Sequence, residues 1–135
     1  PLAGVIRELR IIPGDDALGG AITWEPDLKQ YVVDCSVPGW QSIETRGLAI
    51  IETDTHGLVA VMPIGMSQVA SVNITEGLQV GQRIEKGDEL GYFLFGGSDF
   101  VLVFQKEAGF RLTSPKDEGG AWQHLLMGEK LGELK

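Results

Sequence analysis

Apolar residues fall in short bursts along the 135-residue chain, punctuated by glycine, proline and charged clusters. In LAGVIRELRII (2–12), Val5, Ile6, Leu9, Ile11 and Ile12 fit neither a helical period nor strict alternation. Gly4 at its start and Pro13-Gly14 after it are turn punctuation and favour a strand. GDDALGGAITWEPDLK (14–29) is acidic, glycine-rich and irregular. It reads as a long loop, either a solvated insertion or a binding loop. YVVDC (31–35), a turn at VPGW (37–40), GLAIIETD (47–54) and THGLVAVMPIG (55–65) follow. The last two predict a hairpin over Asp54-Thr55-His56-Gly57.

In MSQVASVNI (66–74), Ser71 and Asn73 alternate with Ala70, Val72 and Ile74, as on a half-buried strand. VGQRIEKGDELGYF then places Gly81, Lys86-Gly87-Asp88 and Gly91 between apolar residues, the mark of short strands folding back on each other. GYFLF (91–95) reads as a strand, stops at Gly96-Gly97-Ser98, and gives way to a second strand-like run, FVLVF (100–104). GFRLTS (109–114) predicts one more strand, and residues 119–135 a short strand with a tail. The expected fold is mainly β: a single antiparallel domain over 1–135, sandwich- or barrel-like, with little helix.

Composition narrows the partners. Nineteen glycines fit many tight turns. A net charge of −8 argues against a nucleic-acid surface, which needs a basic stripe, and against docking on anionic lipid. No apolar run approaches the ~18 residues of a membrane helix, so no stable membrane insertion is expected. The start, PLAGVIRELR, lacks the basic and apolar regions of a signal peptide, and the expectation is a soluble, cytoplasmic protein. Cys35 is the one cysteine, which excludes an internal disulfide; among apolar neighbours it reads as a small buried hydrophobe.

Candidate chemistry is sparse. His56 and His124 lie far apart, with no Cys or His at ligand spacing, so no metal site is expected. Gly87 to Gly91 is followed by no amphipathic helix and no Walker lysine-serine pair. A hydrolase elbow needs glycine two residues on either side of the serine; Gly96 precedes Ser98 by two, but Phe100 follows by two. Two readings of Gly96-Gly97-Ser98 remain. One is a β-bulge carrying a small polar residue. The other is a self-cleavage site. The glycines leave the Gly97 carbonyl sterically open, and the Ser98 hydroxyl can attack it to give an ester. Elimination and hydrolysis would then leave a ketone at the new N-terminus, a pyruvoyl group. That carbonyl can form a Schiff base with a substrate amine and accept electrons as CO2 leaves.

The run GQRIEKGDELGYFLFGGSDFVLVFQ resembles the C-terminal part of the phosphatidylserine decarboxylase family, most nearly its soluble fungal-type branch, which includes tryptophan decarboxylases. In that family a glycine turn of the form KG(D/E)xLGxF leads into a glycine-serine pair and an apolar strand. The segment GLAIIETDTHGLVAVMPIGMSQVASV and the start PLAG are also similar to family segments; residues 14–46 match only in patches. The resemblance implies a cut between Gly97 and Ser98, a pyruvoyl group derived from Ser98, and decarboxylation of an amino acid or an amino-acid-like, phosphatidylserine-type substrate. It implies that Phe95, Gly96, Ile64, Gly65 and Met66 lie by the substrate, and Trp24, Trp40 and Phe95 are candidates to line an aromatic pocket. The acidic balance favours a soluble amino acid over a lipid.

Two departures qualify that picture. The family's essential histidine and its partner aspartate lie upstream of the position matching Pro1. By this resemblance the chain is the C-terminal piece of a longer proenzyme, a truncated form or a degenerate relative, and alone it is expected to cleave slowly or not at all. Asp99 stands where the family usually has Ser or Thr. It could serve as a poor local base or oppose the developing negative charge. The family also suggests a homodimer, for which the FVLVF edge would suit pairing. Two rivals stay open. EGLQVGQRIEKGDELGYF also resembles lipoyl and biotinyl carrier domains, although no lysine stands at the matching hairpin tip. A structural domain that kept the fold and lost the chemistry is the other.

Overall fold

The computed structural model describes residues 2–14, 22–33, 42–66, 69–114, 125–126 and 128–135. Eleven strands occur among them: β1 (Gly4–Ile12), β2 (Ile22–Glu25), β3 (Gln30–Val33), β4 (Thr45–Thr53), β5 (Leu58–Gly65), β6 (Asn73–Ile74), β7 (Arg83–Ile84), β8 (Gly91–Tyr92), β9 (Asp99–Phe104), β10 (Arg111–Leu112) and β11 (Gly132–Glu133). Five of them form an open sheet in the order β7-β1-β4-β5-β9, and every neighbouring pair is antiparallel. The remaining strands pair as two-stranded ribbons, β2–β3, β6–β8 and β10–β11. The expected class, antiparallel and mainly β with little helix, is the observed one.

The uneven period of residues 2–12 has a structural cause. Ile6 pairs with Ile51 and Glu8 with Ile50, so Arg7 is an extra residue opposite β4. The bulge shifts the side-chain alternation by one. Gly4 and Ile6 face the core before it and Leu9 after it, with Ile11 on the same face of the sheet but exposed near the strand end. A six-to-nine step mimics a helical spacing although the element is one strand. The Arg7 guanidinium, made available by the bulge, pairs with Glu52 on β4.

The core lies on one face of the sheet. Ile6, Ala49, Ile51, Val59, Val61 and Ile84 are buried, and Leu9, Leu102 and Phe104 pack against them. The segment from Thr75 to Leu90 closes over this face. Its Leu78, Ile84 and Leu90 enter the core, while Ile6 N–H donates to Gln82 O at 2.9 Å and Gly81 N–H to Ile6 O at 2.8 Å. Glycine is needed at Gly87, whose φ of +104° closes the turn Glu85–Asp88; there Glu85 N–H donates to Asp88 Oδ2 at 2.8 Å. Gly91 is needed because a Cβ would lie 2.1 Å from the Asn73 carbonyl oxygen across the β6–β8 ribbon. The KGDELG motif is thus a turn followed by a close backbone contact, and together they deliver the chain to residues 92–98.

The predicted hairpin over residues 54–57 is present, with Thr53 N–H donating to Gly57 O at 2.9 Å. At its tip Asp54 accepts both forks of Arg83, at 2.9 and 2.8 Å. That guanidinium holds the Asp54 carboxyl below its usual range.

Three expected stretches differ. The long loop at 14–29 ends in a strand, because Ile22–Glu25 pairs with Gln30–Val33 around a turn containing Lys29 at φ +50°; glycine and acid just before it mask the short β-forming run ITW. The 66–74 stretch is a strand only at Asn73–Ile74. Gly65 and Ser71 pack backbone to backbone and Ala70 takes φ +39°, so the chain folds back instead of extending. GYFLF is a strand only at Gly91–Tyr92, since Leu94–Gly96 forms a 3-10 turn. Cys35, the VPGW turn and His124 lie outside the described residues.

The β10–β11 ribbon carries a pH-dependent clasp. Glu133 accepts from Arg111 at 2.7 Å and pairs with Lys130, and these cations pull its carboxyl from 4.5 down to about 2. A depressed folded-state pKa contributes stability that is present above about pH 4.5 and lost as pH falls toward 2. Glu133→Gln is therefore expected to lower the melting temperature at pH 7, and the gap to the parent should close between pH 4.5 and pH 2 in melts across that range. The site is exposed, so salt should narrow the gap at any pH.

Candidate active site around Ser98

Antiparallel pairing of β5 with β9 fixes the geometry. The register runs from Val59 opposite Phe104 to Ile64 opposite Asp99. One step further, past the ladder, Met66 N–H donates to Ser98 Oγ at 2.8 Å. The same N–H also donates to the Ile64 carbonyl oxygen at 3.1 Å across a tight turn, so it is shared between the two acceptors, with Ser98 Oγ the nearer. The serine hydroxyl thus accepts from the main chain at the C-terminal end of β5. Its own proton and remaining lone pair stay available for chemistry.

The chain around Ser98 is shaped by an unexpected residue. Gly97 has φ 164° and ψ 162°, extended backbone that any residue adopts, and a Cβ there would meet nothing within 4 Å. Gly97 is thus not needed for its backbone angles; what its lack of a side chain leaves is an open approach to its carbonyl. The left-handed residue is Phe95, at φ 66° and ψ 8°. An aromatic in that region stores strain of about 1–3 kcal/mol, and its ring is 91% exposed. The turn that presents Ser98 is therefore strained.

The structure brings some sequence-predicted residues together and separates others. Met66 touches Ser98 through its amide. Gly65 is next to it and admits the neighbouring chain: a Cβ there would lie 2.6 Å from Ser71 N. Ile64 is fully buried and packs with Met62, Met66 and Val101, a supporting position under the site. Gly96 closes the 3-10 turn. Asp99 engages its own strand, with Phe100 N–H donating to Oδ1 at 2.8 Å. By register it shares the face of Ile64, whereas Phe100 shares that of Pro63.

The suggested aromatic pocket is made by other residues. Trp24 lies on β2, half exposed, and Trp40 is outside the described residues. An apolar cavity of about 90 Å³ is instead lined by Gly47, Pro63, Val72, Tyr92, Phe93 and Phe100 among others, with Phe100 two residues along the chain from Ser98. Residue types did not reveal it because its walls come from β1, β4, β5, β9, the 72–74 segment and residues 90–93 around β8. The alternation that marks Val72 and Ile74 as inward was the available signal. Ser71 was also missed. Its Oγ is buried and has no hydrogen-bond partner among the described residues, and its backbone packs on Gly65, one residue from the Met66 amide.

With this geometry in place, relatives can be compared. The sequence model of the phosphatidylserine decarboxylase family matches residues 1–133. The chain belongs to that family. Among individual relatives, decarboxylase iboD of Amanita muscaria is 33% identical over 127 residues, covering 87% of this chain and 35% of its own length. A phosphatidylserine decarboxylase proenzyme of Fusobacterium nucleatum is 35% identical over 95 residues, 67% of this chain and 30% of the relative. An L-tryptophan decarboxylase of Psilocybe cubensis is 32% identical over 83 residues, 60% of this chain and 18% of the relative. The chain thus spans about a third or less of the relatives it matches. No solved structure matches it.

The two glycines should respond differently to a methyl group. Gly65→Ala must displace backbone at Ser71 and is expected to cost about 1–3 kcal/mol, as overpacking does. Gly97→Ala meets open space at an ordinary φ and should change stability by less than about 0.5 kcal/mol. Urea unfolding of both variants checks the contrast.

Proposed function

We propose that the chain is the nucleophile-bearing part of a pyruvoyl-dependent decarboxylase, matured by self-cleavage between Gly97 and Ser98. The observation that carries this reading is the Met66 N–H bond to Ser98 Oγ, next to the unhindered Gly97 carbonyl. Membership of the family supports it.

The chain's own residues would act as follows. Ser98 Oγ loses its proton to a base and bonds to the Gly97 carbonyl carbon. The Gly97–Ser98 C–N bond then breaks, nitrogen takes a proton, and an ester links the two residues. Removal of the Ser98 Cα proton expels the Gly97 carboxylate from Cβ, leaving a dehydroalanine. Its imine tautomer takes up water and releases ammonia, which completes the ketone. Met66 N–H fixes the rotamer of the attacking hydroxyl and stabilises negative charge growing on Oγ. Strain held at Phe95 can relax once the 97–98 bond opens. Asp99 is occupied by the Phe100 amide and set toward the Ile64 face, so the base for Ser98 comes from elsewhere in the longer protein. The residues present fit the group: Ser98 lies at the end of a strand, beside a cavity, with its carbonyl partner exposed. Once formed, the pyruvoyl carbonyl supplies an electrophile for a substrate amine and a sink for the electrons left when CO2 departs.

The substrate is accordingly an amino acid or an amino-acid-like molecule carrying an amine and a carboxylate. Residues 1–135 act as one unit that is completed by an N-terminal segment, function as a homodimer and work in the cytoplasm. The carrier reading loses ground because the hairpin tip presents Asp54 bound to Arg83, with no lysine to modify.

Intact mass of the full-length protein, before and after phenylhydrazine, tests the proposal. Two chains are expected, with the piece beginning at residue 98 gaining one hydrazone, while Ser98→Ala stays whole and unreactive. A single unreactive full-length chain from the parent protein would overturn it.

A further inference from the structure

The apolar cavity beside Ser98 suggests what kind of substrate the site takes. Three segments that line it run close to the serine. Phe100 is two residues after Ser98 on the same chain. Pro63 opposes Phe100 across the β5–β9 ladder, with Gly65 and Met66 just beyond it. Val72 follows Ser71, which packs on Gly65. Chain and ladder neighbours thus connect the cavity to the residue that Met66 holds, although Ser98 itself is not one of its walls.

Its lining is chemically one-sided. Among the described residues no charged side chain borders it; Asn73 and Tyr92 are its polar side chains, and the rest are aliphatic, aromatic, proline or glycine. A phosphate or a charged headgroup would find no arginine or lysine there and would lose hydration without replacement. An apolar chain or a ring would lose nothing of the kind. Phe100 and Tyr92 are about half exposed, so the cavity opens to solvent along their edges. An enclosed apolar cavity of about 150 Å³ accommodates benzene. This open one, at about 90 Å³, can hold much of a ring while the rest lies against the Tyr92 and Phe100 rims. Gly47 sets the depth: a Cβ there would lie 2.9 Å from Pro63 Cγ and 3.0 Å from Val72 Cγ1.

We propose that this cavity receives the substrate's side chain, and that the substrate is a small amino acid with an apolar or aromatic side chain rather than one bearing a phosphorylated headgroup. The role assigned to the pocket rests on Ser98 as the reacting residue, but its ligand preference does not require cleavage.

Binding to full-length Ser98→Ala protein, which cannot form the pyruvoyl group, tests the two claims separately. Phenethylamine and ethanolamine are titrated in a calorimeter under the same conditions. Phenethylamine is expected to bind at least tenfold more tightly. Gly47→Ala in the Ser98→Ala background should weaken phenethylamine binding about tenfold by filling the floor. Tyr92→Ala, at an exposed rim position that leaves the core intact, should weaken it about threefold. Equal affinity for the two amines, no measurable phenethylamine binding, or affinity unchanged in the Tyr92→Ala variant would overturn the proposal. Selective binding in a protein whose parent form never cleaves would leave the pocket standing and remove only the pyruvoyl chemistry.

Discussion

One hydrogen bond, from the Met66 amide to the Ser98 hydroxyl, gathers the consequences of the whole sheet. It exists because β5 and β9 run antiparallel in a register that ends at Ile64 and Asp99. A one-residue slip would turn every side chain of β9 to the opposite face and carry Ser98 away from the amide. That register is enforced by the core: Val59, Val61 and their partners Phe104 and Leu102 must stay on the buried side. Hydrophobic burial remote from the serine thus decides where its oxygen sits.

Outside one bulge in β1, the strands are regular where they bury apolar side chains, and irregularity collects near their ends. Arg7 bulges from β1 opposite β4, Ala70 and Phe95 take left-handed conformations, and Gly65 and Gly91 each admit a neighbouring backbone that a methyl group would block. Three of these, Gly65, Ala70 and Phe95, lie within a few residues of the Met66–Ser98 contact. Such local costs persist only where surrounding structure holds them, and here the sheet and the β6–β8 ribbon do so. The Glu85–Asp88 turn and the Gly91 contact can be seen in the same way, as the means by which a short ribbon delivers residues 92–98 to the end of β5.

Alternation and glycine punctuation made the long strands and the 54–57 hairpin legible in the sequence, since both follow from local chemistry. The serine also stood out, because few residue strings place an open carbonyl ahead of a hydroxyl. What failed to show depended on tertiary contact. The Arg7 bulge scrambled the period of β1, and the ITW strand was hidden by the acidic, glycine-rich residues before it. Phe95 is among the residue types least expected at positive φ, so nothing in GYFLF announced a turn. Trp24 and Phe95 do not line the cavity, whose walls are drawn from six separate segments. Gly97 was legible as important, but for its unhindered carbonyl and not for its backbone angles.

The central claim is that the Met66 N–H positions and activates Ser98. The most direct test replaces that amide by an ester in the full-length protein, installing the α-hydroxy analogue of methionine at position 66 and leaving every side chain in place. The account predicts that self-cleavage slows by roughly tenfold or more, the rate equivalent of one lost hydrogen bond of about 1.4 kcal/mol, with little change in melting temperature. Cleavage at the parent rate from a folded ester variant would contradict it.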